Sequence, residues 1–460
     1  MRSEPFSVDT REPAPATAQQ PLTPFELLML LDERPGYPMC FYVETTLVGS
    51  LNHSQLKAAL ALAARRHPRM RSRAVHGPDG WQWVLTDIEP TLVVLPRTMP
   101  ANDTARQIAF RPFRLQREPG IRALLVEEES DRFSLVLQVH HSVCDGIAAL
   151  EFLGDVWSIY EGGEPPRLRP GVVRSRCATP ASCSPTTRAD DQASATLTFA
   201  SLLPARLATS NRKQPATAGG RPYRVTRLSR QETRAVHAAA VAVGTAVNDL
   251  TIAAAMRGIC RWNSRQGRPA KTIRINMPVS LRPPGCREPA TNRIGYAFLD
   301  RTAAACDSAV ALAQSLAVAS RWIQSTGAAG MFLEVLHQLA RWPWLLRLLT
   351  RLPLSLSTAV VSNVGNIQAR MRTQAPTRAG LVRPGSLTIT SVVGVPPVRP
   401  GTALAVGVTS YAGELAVTTM ADPADFSDLD NASLGEMIVA ELLAFTEVLN
   451  ISTRASGHGP

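Results

Sequence analysis

The stretch Val139-His140-His141-Ser142-Val143-Cys144-Asp145-Gly146 follows directly on a run of β-forming residues, 133–139. Side chains of a strand alternate between its two faces, so His141 continues the parity of residue 139 and His140 that of residue 138. We therefore expect the two rings to point to opposite faces of a sheet, one into a substrate cavity and one into the structure. Histidine suits the role of a general base, because its ordinary pKa of ~6.5 lies near neutral pH.

Other interpretations of this stretch are open. Two histidines at a strand end can both be buried, hydrogen-bonded core residues, but an adjacent pair followed by Asp145 and Gly146 favours a functional site. Metal binding is a weaker alternative, because no HExxH pattern or second His/Cys cluster accompanies the pair. A nucleophilic Cys144 is weaker still, since a small apolar filler is the simpler interpretation. We expect Asp145 to orient the loop by pairing with an arginine and Gly146 to allow a tight turn.

Outward from this stretch, composition divides the chain into two lobes. Residues 162–221 are rich in Pro, Ser, Thr, Arg, Ala and Gly, which is typical of a crossover linker. We expect a first lobe over 21–161 and a second over 222–450, with the N-terminal 1–20 and the tail 451–460 disordered. Both lobes mix helical and strand patterns, so we predict an α/β fold with α+β layering.

Periodicity and turn residues predict the elements of each lobe. In the first lobe we expect a strand over 39–48, a helix capped by Ser54 and stopped by Pro68, a hairpin of strands 121–127 and 133–140, and a helix over 146–160. A further helix is expected near 197–207, inside the crossover. The second lobe is predicted to contain a helix over 243–262, a strand over 273–279, a helical region over 303–350 broken at Pro343, strands over 358–363, 386–393, 403–409 and 414–419, and a last helix over 433–449.

Charge and cysteine content restrict the partners and the compartment. The chain of 460 residues has a net charge of +12, carried almost wholly by scattered arginines. The absence of a basic block argues against nucleic acid and leaves an anionic thioester carrier or an anionic membrane surface as partner. Seven cysteines without metal spacing, and no signal peptide, predict a cytoplasmic protein with reduced thiols and no metal. No run of apolar residues is long enough to predict a membrane-spanning helix.

The stretch resembles the HHxxxDG signature of the superfamily of condensation domains and coenzyme-A-dependent acyltransferases. The resemblance extends to further segments in the same order along the chain: 21–24, 65–71, 245–249, 276–282 with 292–295, and 361–365. Bacterial wax ester synthase/diacylglycerol acyltransferase and alcohol acyltransferase relatives are the most similar in these segments. The resemblance implies two chloramphenicol-acetyltransferase-like lobes with an active-site tunnel between them.

For the site, the resemblance implies roles for the motif residues. His141 is the catalytic base, and His140, Asp145 and Gly146 complete the catalytic motif. Arg282 is expected to pair with Asp145 and to support the site structurally. The segment with Ser362, Asn363 and Gly365 is expected to bind substrate.

The resemblance also implies the reaction, an O-acyl transfer in lipid or secondary metabolism. The donor would be acyl-CoA or a phosphopantetheine thioester on an acyl carrier protein, used as a co-substrate, with no bound cofactor. Two alternatives are a stand-alone condensation domain that forms amides from an amine acceptor on carrier proteins, and a non-catalytic member that binds a carrier.

Two further features carry interpretations of their own. The Trp- and Leu-rich stretch 342–352 is either a helix packed in a lobe or an interfacial membrane helix, and packing is the commoner case. A membrane interpretation would make the protein peripheral and its substrate lipidic. His67, before Pro68, is expected to end a helix rather than to bind a ligand.

Overall fold

The computed structural model describes residues 19–34, 36–96, 110–168, 204–209, 222–352 and 356–456, with side chains of the last helix described to residue 447. Its helices, numbered along the chain, are α1 (Pro24–Asp32), α2 (His53–Arg66), α3 (Gly146–Tyr160), α4 (Arg230–Val243), α5 (Val247–Arg265), α6 (Ala309–Thr326), α7 (Met331–Leu339), α8 (Pro343–Arg351), α9 (Ile367–Met371) and α10 (Asp428–Ser456).

The strands are β1 (Gln20–Pro21), β2 (Cys40–Gly49), β3 (Ser72–Gly77), β4 (Gly80–Leu85), β5 (Thr91–Leu95), β6 (Ile121–Glu127), β7 (Arg132–His140), β8 (Arg224–Arg227), β9 (Thr272–Ser280), β10 (Ile294–Thr302), β11 (Ala359–Asn366), β12 (Thr377–Arg378), β13 (Leu381–Val382), β14 (Leu387–Val395), β15 (Leu404–Tyr411) and β16 (Glu414–Ala421).

Two large sheets organise the described part of the chain. The first has the order β14-β2-β7-β6-β5, and the second has the order β10-β9-β11-β15-β16-β8. Helices α3 and α5 are each buried against one of these sheets, in two separate hydrophobic cores. The fold is therefore the predicted mixture of helices and sheets in two layered halves.

One strand crosses from the second half into the first sheet. Strand β14 pairs antiparallel with β2, from Leu387 opposite Gly49 to Val395 opposite Tyr42. The predicted second lobe, 222–450, thus contributes a strand to the sheet of the first half. The two halves interlock at the edge of that sheet.

The segment that carries the two histidines sits at the centre of the first sheet. Strand β7 pairs antiparallel with β2 on one side and β6 on the other. Helix α3 begins immediately after the motif, with Asp145 as its N-cap, and almost all its residues are buried. Gly154 allows α3 to approach α9, because a Cβ there would collide with the backbone carbonyl of Met371. A central strand followed by a buried helix makes a rigid mount for the turn between them.

Several sequence predictions are confirmed, among them the hairpin of β6 and β7, helix α3, strand β9, and the start of α8 at Pro343. Helix α2 is capped by Asn52, not Ser54. The helix predicted over 243–262 is confirmed as α5, although it begins at Val247, because residue 243 ends α4 and Gly244 turns the chain with a φ of 73°. Strand β10 was not predicted.

Disorder was predicted too widely. The backbone of α10 continues to Ser456, so the tail is not disordered throughout 451–460. At the other end, Gln20 already pairs in β1. The structure describes residues 204–209 of the crossover, and they are not helical. The rest of the helix predicted near 197–207 lies outside the described residues, and so do residues 1–18.

Candidate active site

A cavity of about 340 Å³ lies between the two large sheets, and His141 is part of its wall. The first sheet contributes lining residues from β2 and β14, and the second contributes residues from β9, β11 and β15. The backbone N–H of His141 donates to the carbonyl of Met39 at 2.7 Å, which holds the main chain of His141 just beyond the end of β7. The position between the halves is the one predicted for the active site.

His140 lies outside the lining of this cavity and is fully buried. Its Nδ1 accepts a hydrogen bond from the N–H of Ser142 at 3.1 Å. Its Nε2, which must then carry the proton, donates to a carboxylate oxygen of Glu33 at 2.8 Å. The expectation that one ring reaches a cavity and the other holds structure is confirmed, and His140 is the residue that holds the turn.

The surroundings of His141 favour the neutral form of its ring. Burial lowers its pKa below the ordinary value, while the carboxylate of Asp145 opposes this effect. Phe25 and Phe41 pack edge-on against the ring, with centroids at 5.7 and 5.4 Å. A neutral imidazole can accept a proton, so the site holds His141 in the form that a general base requires.

Asp145 is held by three donors and is not free to react. Its Oδ1 accepts from the N–H of Ala148 at 3.0 Å. Its Oδ2 accepts from Nη1 of Arg282 and from the backbone N–H of Arg293, both at 2.7 Å. The carboxylate therefore caps α3 and ties the motif to the loop after β9.

The predicted ion pair between Asp145 and Arg282 is confirmed, with both side chains buried. The contact is a single hydrogen bond and not a fork of two parallel ones. Only Nη1 binds the carboxylate, while Nη2 donates to the carbonyl of Thr291 at 2.8 Å. Burial alone would lower the pKa of Arg282, but the neighbouring carboxylate raises it above its ordinary value, so the guanidinium stays charged.

The opposite wall of the cavity contains Ser362, Asn363 and Gly365, the residues predicted to bind substrate. They lie on β11 at a bulge, where Gly365 adopts a φ of 72° and its N–H donates to Oδ1 of Asn363 at 2.8 Å. Gly146 lines the same cavity at the start of α3. The structure thus brings these three residues and Gly146 together with His141.

The remaining lining is mainly apolar. It includes Phe41, Val43, Ile147, Leu150, Met277, Ile294, Tyr296, Val360, Val395 and Val408. Arg370 is an exposed cation in this lining. No group of three or more His, Cys, Asp or Glu side chains in the described part of the chain is placed to hold a metal ion. Burial raises the pKa of the Cys144 thiol well above its ordinary value, which disfavours a thiolate nucleophile there.

Sequence reasoning missed two supports of the motif. Asn292 donates through Nδ2 to the carbonyls of His141 and Ser142, at 2.9 and 3.1 Å. His67 does end α2, but it also accepts the N–H of Ala290 at 2.9 Å and bonds to Asp155 of α3 at 3.1 Å. Both link the first half to the loop that carries Arg282. The only signal for them was the segment resemblance that includes residues 65–71 and 292–295.

Comparison with known proteins gives a family match over more than half of the chain. A family model described as a condensation domain matches residues 17–294. Tyrocidine synthase 3 of Brevibacillus parabrevis is 28% identical over 165 residues, which cover 34% of this chain and 2% of that protein. The chain therefore spans a small fraction of the length of this curated relative.

Solved structures with the same fold cover nearly the whole chain. The first condensation domain of the CDA synthetase is 19% identical, with a TM-score of 0.62, covering 94% of this chain and 97% of that one. Trichothecene 15-O-acetyltransferase from Fusarium sporotrichioides is 13% identical, with a TM-score of 0.66, covering 93% of this chain and 95% of that one. The two-lobed fold of these structures is the fold of this chain.

Proposed function

This chain belongs to the condensation-domain family, and we propose that it is an acyltransferase that moves an acyl group from a thioester to a hydroxyl, with His141 as the general base. One observation carries the proposal: His141, whose pKa is lowered by burial, lines a mainly apolar cavity between the two sheets. The neighbouring carboxylate, Asp145, is occupied by three donors and therefore cannot compete as the base.

In the proposed step, the acceptor hydroxyl attacks the thioester carbonyl while His141 takes its proton. The new C–O bond gives a tetrahedral intermediate, which collapses by breaking the C–S bond. The leaving thiolate takes the proton back from the imidazolium and departs as a thiol. His140, Asp145 and Arg282 act by positioning the turn rather than by touching the reacting atoms. Ser362, Asn363 and Gly365 bind substrate from the opposite wall.

The proposed donor is acyl-CoA or an acyl-phosphopantetheine on a carrier protein, used as a co-substrate. A net charge of +12 favours anionic donors of both kinds. Arg370, exposed on the cavity lining, is a cation that an incoming phosphate would meet. The apolar lining favours an apolar acyl chain. We propose that the protein works in the cytoplasm.

Amide formation is a second candidate, because the curated relatives that match include tyrocidine synthase 3 and the family model is that of a condensation domain. The same base would then take a proton from an attacking amine. A third candidate, a non-catalytic member that binds a carrier, would use the cavity without turnover.

Mass spectrometry of the products formed from a panel of acyl thioesters, alcohols and amines separates these candidates. The proposal predicts esters, formed only when both substrates are present and with release of free thiol. Amides without esters would favour the second candidate. Thioester binding with no product from any pair, by folded protein, would contradict catalysis.

A further inference from the structure

Exposed apolar side chains are concentrated in one segment of the molecule. Of the fourteen exposed large apolar residues in the described part of the chain, eight lie within residues 331–356. They are Met331, Val335, Trp342, Trp344, Leu348, Leu349, Leu352 and Leu356. Soluble monomers rarely expose large apolar patches, and such patches mark sites that bind another protein or a membrane. We therefore expect this segment to bind a partner.

Helix α8 exposes part of its apolar surface and buries another part. Trp344 and Leu348 are one helical turn apart and therefore share a face, and they are 67% and 52% exposed. Leu346 points the other way and is buried. The prediction that stretch 342–352 packs in a lobe is therefore wrong for most of its residues. Sequence showed that the helix is amphipathic but not which side faces the protein.

The inner sides of α7 and α8 support the wall of the candidate active site. Leu336 of α7 and Leu346 of α8 belong to a cluster with Met39 and Tyr296, which line the cavity. The ring of Phe332 lies 4.9 Å from that of Tyr296. The buried sides of α7 and α8 therefore pack against residues that line the cavity.

The charged side chains on and between α7 and α8 are mainly positive. Arg341, Arg347 and Arg351 are exposed, and Glu334 is the acidic residue of α7 and α8. A bilayer with anionic headgroups complements this arrangement, since tryptophan and leucine enter the interfacial region while arginines remain at the headgroups. A second copy of the chain fits less well, because a two-fold contact would bring two arginine-bearing surfaces together.

We propose that α7 and α8 form a docking face for an anionic membrane surface, which we call the α7–α8 face. No single helix of the described residues is long and apolar enough to span a membrane; α4 and α5, bent by 98°, pass that test only as a pair. The α7–α8 face would hold the protein at one leaflet. If the proposed function also holds, an acyl chain or acceptor could reach the nearby cavity from that leaflet.

Co-sedimentation of the full chain with phosphatidylcholine vesicles, with and without phosphatidylglycerol, tests the docking without any substrate. We expect binding to the anionic vesicles, weakened by salt because exposed charges are screened. The double variant Trp344→Ala, Leu348→Ala should lose roughly tenfold or more in partitioning. Arg347→Gln and Arg351→Gln should each lose about fivefold on anionic vesicles. Val241→Ala, at a residue 81% exposed on α4, is the matched control and should bind as the wild type does.

Three results would overturn the docking. They are a wild type that stays in the supernatant, a Trp344/Leu348 variant that still binds fully, and a dimer in sedimentation velocity that this variant abolishes without any vesicle binding. Circular dichroism verifies the fold of each variant. Vesicle binding does not depend on turnover, so a protein that docks but forms no ester would contradict only the proposed function.

Discussion

Replacing Arg282 by alanine removes the guanidinium that ties the histidine motif to the loop after β9. Asp145 would keep its hydrogen bonds from the N–H groups of Ala148 and Arg293, whereas the carbonyl of Thr291 would lose its donor. Breaking a buried ion pair lowers the free energy of unfolding by about 3–5 kcal/mol. Because two donors still bind the Asp145 carboxylate, we expect a loss near the lower end for Arg282→Ala, about 3 kcal/mol.

Asp145→Ala should lower the free energy of unfolding more than Arg282→Ala does. It leaves the buried guanidinium with only the Thr291 carbonyl and also removes the N-cap of α3, which is itself worth about 1 kcal/mol. We expect about 5 kcal/mol for this variant. The double variant leaves neither buried charge without its partner. Its loss in free energy of unfolding should therefore be smaller than the sum of the two single losses by about 2–3 kcal/mol.

Urea unfolding of the four proteins gives these free energies. Arg65→Ala is the matched control, because Arg65 pairs with Glu89 at 3.0 Å with both side chains largely exposed, and its loss should cost about 1 kcal/mol or less. Additive costs, within about 0.5 kcal/mol, would refute the reasoning that the two side chains stabilise the motif as a pair.

Three other perturbations have defined outcomes. Because the pKa of His141 is lowered, kcat/KM for ester formation should stay constant as pH falls to ~6.5 and decline only below that pH; a decline centred above ~6.5 would contradict a lowered pKa at the base. Gly154→Ala should lower the free energy of unfolding by about 1–3 kcal/mol, because the Cβ meets the Met371 carbonyl, whereas Gly330→Ala, with open space around the Cβ, should change it little; equal effects in urea unfolding would count against the close contact. His67 has a lowered pKa in the folded state, so its contribution to stability is present above ~6.5 and is lost as pH falls below that value; His67→Gln should flatten this part of the stability–pH curve, and an unchanged slope would exclude His67 as its source.

The sequence predicted the parts of the fold that depend on local pattern. The β-forming residues over 133–139 predicted strand β7. Because side chains alternate between the two faces of a strand, the same pattern predicted that His140 and His141 point in opposite directions. The pairing of Asp145 with Arg282, 137 positions apart, was predicted from position together with the family resemblance and not from local pattern.

Contacts between distant segments were not predictable in this way. The hydrogen bond of His140 to Glu33 joins residues 107 positions apart, and the pairing of β14 with β2 crosses between the halves. Neither segment carries a local signal for its partner. Likewise, the sequence of α8 shows an amphipathic helix, but the exposure of Trp344 depends on which side the rest of the fold covers.

The most direct test of the central claim is the turnover of His141→Ala, measured by mass spectrometry on the best ester-forming substrate pair. Circular dichroism and urea unfolding, compared with the wild type, verify that the variant is folded. If His141 is the general base, turnover should fall by roughly 10²–10⁴-fold while the fold persists. Turnover near the wild-type value in a folded His141→Ala protein would contradict the account.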